Sequence, residues 1–184
     1  MSRSVKHLCL YAMGVALFVV LALCVRAPVF ENYYLCLGYV VMAVYCYSFG
    51  AGAGAAVGCV GVLLYCILTN GLRGMPGWAL GNVVIGVALG LTFRLTRQMK
   101  PGLFRWVIHI LAVVAATAAG VLAVKSAVEF VLYGQPFWFR IGKNVYAFVA
   151  DVVLLLVSLP VCEKLDGYLH RYVLKKNCGK AEGA

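Results

Sequence analysis

Four ionisable side chains interrupt stretches of this chain that are otherwise apolar: His109, Lys125, Glu129 and Asp151, with Asn82 as a neutral companion. A charge inside an apolar span is costly, and its first reading is a ligand or ion site. Lys125 and Glu129 are four residues apart, so on a helix they share a face and can pair. Asp151 lies eight residues beyond Lys143, about 12 Å along a helix, and can reach the same level from a neighbouring span. His109 stands near the end of its run, where capping or snorkelling is the expected role. Two loops add to the same side. "NGLRGMPG" at 70–77 leads into Trp78 and Asn82, and "YGQPFWFRIGKN" at 133–144 brings Tyr133, Gln135, Phe137, Trp138, Arg140, Lys143 and Asn144. Flat aromatics among hydrogen-bonding groups suit a planar heterocycle or similar small polar molecule. The expected binding set is therefore Trp78, Asn82, Lys125, Glu129, Tyr133, Trp138, Lys143, Asn144 and Asp151. The bland alternative is a buried ion network that fixes the register of the spans, with the aromatics forming an interfacial belt.

The elements that carry these residues follow from composition. The chain has 184 residues, 64% hydrophobic and 12% charged, with a mean hydropathy of +0.95. A soluble domain of this size cannot hide so much apolar surface. The expected class is an all-α integral membrane bundle. A helix crosses the hydrocarbon core in about 20 residues, and the apolar runs divide into six spans at about 5–25, 34–49, 51–69, 78–93, 105–133 and 144–162. The second and third are separated only by Phe49-Gly50, which requires a tight hairpin. Residues 1–184 then form one transmembrane domain with a basic tail over 163–184.

Lys and Arg set the orientation. With the N-terminus inside, Arg3, Lys6, Arg94, Arg97, Lys100, Arg105, Lys164, Arg171, Lys175, Lys176 and Lys180 face the cytoplasm, whereas Arg26, Arg73, Arg140 and Lys143 face outward. Eleven against four predicts both termini in the cytoplasm of a multi-pass cell-membrane protein. The net charge of +10 is then topological. It flanks spans without aromatic interleaving, so nucleic acid is not an expected partner.

Several chemistries are excluded by what is missing. There is no G-x-x-x-x-G-K-[ST], H-E-x-x-H or G-x-S-x-G, so neither an ATPase nor an enzyme is expected. The eight cysteines form no C-x-x-C pair and most sit in apolar runs, where they act as small hydrophobes rather than metal ligands. No metal or cofactor is expected. The run 5–25 is too long for a signal-peptide core and lacks a cleavage site. Without an evident inverted repeat, six short spans do not make a self-powered transporter; if solute moves, partners supply the energy.

Small residues recur in rows. Gly50, Gly54 and Gly58 open the third span, and Gly77/Gly81 and Gly86/Gly90 line the fourth. In lipid such rows let helix backbones approach closely. In the first span, "YAMGVALFVV" puts Ala12 and Ala16 about 40° apart on one helix face. Ala-x-x-x-Ala recurs elsewhere in the chain, so only its place in the first span gives it meaning.

Three segments in order, "MGVALFVVLALCVRAPV", "YVVMAVYCYSFGAGAGAAVGCVG" and "MPGWALGNVVIGVALGL", resemble the substrate-capture (S) components of energy-coupling factor (ECF) vitamin transporters, nearest to the riboflavin-type branch. The resemblance covers roughly residues 5–165. It implies a six-helix membrane protein that binds a vitamin or its precursor from outside. It also implies partners, a transmembrane coupling (T) subunit and two ABC-type ATPases, with Ala12 and Ala16 as the face that docks the T subunit. The pocket it implies is built from outer loops and the outer parts of helices four to six. Riboflavin, a thiamin-type pyrimidine and cobalamin all stay open as ligands. The alternative function is a ligand-free multipass assembly or scaffold protein.

Overall fold

The computed structural model describes residues 3–24, 28–30, 33–72, 74–100, 102–134 and 136–169. Its helices are α1 (Arg3–Cys24), α2 (Gly38–Phe49), α3 (Ala51–Leu68), α4 (Met75–Thr96), α5 (Leu103–Thr117), α6 (Ser126–Tyr133) and α7 (Phe137–Leu169). Between α5 and α6 the chain stays helical but widens to a π-helix over Ala118–Lys125. Residues 103–133 are thus one rod with three parts, and six rods make the bundle. Five are long and apolar enough to cross a membrane; the sixth, Gly38–Phe49, is shorter. The protein is an all-α membrane bundle, as the composition requires.

The shorter rod differs from expectation at its start. The apolar run begins at 34, yet α2 begins at Gly38 and has 12 residues, about 18 Å of helix. Tyr34 belongs instead to an antiparallel ribbon pairing β1 (Pro28–Phe30) with β2 (Tyr33–Tyr34). The β-branched and aromatic residue types of this segment favour a ribbon over a further helical turn. At its other end α2 turns directly into α3 at Gly50, whose φ of 89° is open to glycine and strained for any residue with a Cβ.

Glycine also sets how close the rods lie. A Cβ on Gly86 would meet the Ala55 backbone at 2.7 Å, and one on Gly90 would strike that of Ala51, so α3 and α4 touch backbone to backbone. A Cβ on Gly81 would meet the Gly120 carbonyl oxygen at 2.7 Å, which presses α4 against the π segment just below Lys125. The core formed between these close approaches is apolar: Phe18, Tyr39, Met42, Val57, Val62, Ile85, Leu89 and Leu155 are almost completely enclosed. The buried thiols Cys36, Cys46, Cys66 and Cys162 belong to it. The outward surface is aliphatic, with Leu8, Leu17, Ile67, Leu91, Leu111 and Val157 among the exposed side chains.

α1 answers the question its alanines raise. Its inward face is Gly14, Phe18 and Ala22, while Ala12 and Ala16 point outward beside exposed Met13, Leu17 and Val20. α1 touches only α2 and α3 among the described elements.

Candidate binding site

Buried polar groups gather in two layers. The first lies where α4 and α7 begin and α6 ends; the charge count turns this end outward, and it is called the outer end below. Trp78 occupies the first turn of α4, behind Pro76, which suits a helix start because its missing N–H is not needed there. One turn on, Asn82 is fully enclosed. The Trp78 indole Nε1 donates to the Tyr39 hydroxyl at 2.9 Å, and that hydroxyl donates to Asn82 Oδ1 at 2.8 Å. Asn82 Nδ2 in turn donates to the Gly58 carbonyl at 3.2 Å. α2, α3 and α4 are joined by this neutral chain, and the Tyr65 ring stands edge-on to Trp78 at 5.7 Å.

Beside the chain lies a charged group. Asn144 donates from Nδ2 to Ser126 Oγ at 2.9 Å and to Glu129 Oε2 at 3.3 Å. Arg140 on α7 brings Nη1 to 3.6 Å from the same Glu129 oxygen. Lys125, at the last position of the π segment, sits within the fields of Glu129, Asp151 and Arg140. Asp151 is in hydrogen-bonding reach of Tyr39, which ties the charged group to the neutral chain. Asn144 is fully enclosed, and Glu129 and Asp151 are 5% and 8% exposed. An unpaired buried ion would cost several kcal/mol, roughly 3–5 when one partner is removed; mutual pairing makes this layer tolerable.

Of the nine expected residues, Trp78, Asn82, Lys125, Glu129, Asn144 and Asp151 come together in this layer. Tyr133 is half-buried at the last turn of α6. Trp138 and Lys143 are not brought in: Trp138 is 80% exposed, and Lys143 extends its ammonium over the Phe139 ring at 5.0 Å. Their phase on α7 explains this. Arg140, Asn144 and Asp151 share the inward face at spacings of four and seven, and residues 138 and 143 fall on others. Sequence reasoning missed Tyr39 and Ser126 and left Arg140 in a loop. The expected contributions of Arg73, Gln135 and the tail beyond residue 169 lie outside the described residues.

The second layer closes the opposite, inner end. His109 is 2% exposed and lies 2.7 Å from Thr96 Oγ1. It does not snorkel; the rings of Phe93 and Tyr47 stand against it at 4.9 and 6.2 Å. Arg105 donates to the Tyr47 hydroxyl and lies 3.8 Å from Glu163. Arg97 pairs with Asp166 at 3.1 Å.

The outer layer thus draws its polar groups from α2, α3, α4, the α5–α6 rod and α7 at one end of the bundle. The sequence profile of the S component of ECF-type riboflavin transporters matches residues 2–165. The chain belongs to this family. No curated protein matches it as a relative. As an S component it is an integral protein of the cytoplasmic membrane, and its family is one of transporter subunits, not of catalysts.

Proposed function

We propose that this S component captures a vitamin or related micronutrient from outside, with both termini cytoplasmic and the whole chain acting as one transmembrane domain. It then delivers the ligand with a T subunit and two ABC-type ATPases. The outer layer is the ligand site: Trp78 and Tyr65 supply aromatic surface, and Tyr39, Asn82, Asn144, Glu129 and Asp151 supply hydrogen bonds. Tyr133, Trp138 and Lys143 contribute at the rim if the outer loops close over the ligand. The observation that carries this reading is the joining of a neutral hydrogen-bond chain to a charged group at one level of five rods, in a chain of this family. Riboflavin is the first ligand to test, followed by a thiamin-type pyrimidine and cobalamin.

Mass spectrometry of the small molecule that co-purifies with the solubilised protein identifies the ligand, and a yellow preparation points directly to riboflavin. Recovery of the protein without any bound heterocycle, and no binding on titration, would remove the capture reading. Ala12 and Ala16 are the docking face: Ala12→Trp or Ala16→Trp should abolish uptake and spare ligand binding. Survival of uptake in both variants places the T subunit elsewhere.

A scaffold role is favoured by one observation, that the outer polar groups already pair with one another. Under that reading, apolar replacements of Lys125, Glu129 and Asp151 change stability and leave any transport unaltered.

A further inference from the structure

The inner end carries more charge than its ion pairs use. Arg94 and Arg97 lie three apart near the end of α4, on one side of the helix, and Lys100 follows in the connection to α5. All three cations are exposed. Asp166 is the carboxylate paired with Arg97, and Glu163 is engaged by Arg105. Among the described residues this leaves a local surplus of two positive charges.

The same segment exposes some of the most uncovered apolar side chains of the molecule: Leu95 at 76%, Leu103 at 83% and Phe104 at 70%. They flank the cations in sequence, at the last turn of α4 and the first of α5. A phosphate-bearing metabolite would match the cations and leave these side chains unexplained. An amphiphile with an anionic head and a hydrocarbon tail matches both. Asp166 also holds the Arg97 guanidinium in place while its side chain stays 44% exposed, which lowers the ordering cost of a bidentate phosphate contact.

We propose that the α4–α5 connection is a binding site for the headgroup of an anionic phospholipid of the adjoining leaflet, with Arg94, Arg97 and Lys100 facing the phosphate and Leu95, Leu103 and Phe104 lying along the acyl chains. The inference needs the chain's place in a membrane but no particular transport ligand. Each basic residue near an anionic surface strengthens attachment roughly fivefold.

The test is native mass spectrometry of the full-length protein in detergent mixed with equal amounts of phosphatidylglycerol and phosphatidylcholine. The wild type should retain phosphatidylglycerol preferentially, and high salt should weaken the preference. The double variant Arg94→Gln/Lys100→Gln leaves the Arg97–Asp166 pair in place and should lower the preference roughly twentyfold. Lys143→Gln, at the outer end, should leave it unchanged. Equal retention of both lipids by the wild type overturns the proposal, as does undiminished preference in the double variant. If that variant keeps its lipid preference but loses co-purifying protein subunits, the patch docks a protein, and the lipid assignment is wrong.

Discussion

The two polar layers are made from similar parts and arranged in opposite ways. At the outer end, Glu129 and Asp151 are enclosed, Lys125 is half-buried, and the neutral groups Tyr39, Asn82 and Asn144 link them. At the inner end the enclosed groups are neutral, His109 against Thr96, and the ions Arg97, Asp166 and Glu163 stand at the rim with partial exposure. The inner plan is the cheaper way to join helices, because its ion pairs stay partly hydrated at the rim. Enclosing charge adds desolvation without an equal return in stability. Under the capture reading, the costly outer charges serve the ligand, whereas under the scaffold reading they serve cohesion alone.

Breaking the layers one group at a time tests that contrast. The largest effect is expected from Glu129→Leu, which strands Arg140 and Lys125: about 3–5 kcal/mol of stability should be lost, read as a fall in thermal midpoint, together with ligand binding. Asp151→Asn keeps a hydrogen-bonding partner for Tyr39 and removes the charge. It should weaken ligand binding at least about tenfold, roughly 1.4 kcal/mol, by titration on the purified protein, with a smaller change in midpoint. At the inner end, Thr96→Val leaves His109 without its described partner and should cost about 1–3 kcal/mol of stability with binding unchanged. Arg97→Gln breaks a rim pair and should cost no more than about 1 kcal/mol. If Thr96→Val lowers affinity as much as Asp151→Asn does, the two layers are one functional unit and the contrast fails.

Much of this was legible in the sequence, for reasons that also mark the limits. Asn82, Lys125, Glu129 and Asp151 stand out because an apolar run has no other use for them. Asn144 and Trp78 were found through the loops beside them. Tyr39 escaped notice because an aromatic ring at the head of an apolar helix counts as apolar, although its hydroxyl is the hub of the outer layer. Trp138 and Lys143 were drawn in because the segment around 137 reads as loop; once α7 begins at Phe137, helical phase turns them outward. The π segment gave no signal. Its surroundings, "AVVAATAAGVLAV", are small and apolar on every side, so an extra residue per turn leaves the hydrophobic pattern almost unaltered. His109 shows the reverse error: nearness to a span end suggested exposure, but Phe93 and Tyr47 cover it.

The four-residue spacing of Lys125 and Glu129 has a consequence for biogenesis. A nascent membrane protein releases its spans in order, and α7, with Arg140 and Asp151, follows the α5–α6 rod. Glu129 lies close enough for its charge to act on Lys125 within that rod. The lysine therefore has an opposite charge on its own rod before α7 is added. Arg140 and Asp151 likewise arrive together on α7, opposite in sign. The two rods that build the charged group of the finished outer end thus each carry charges of both signs.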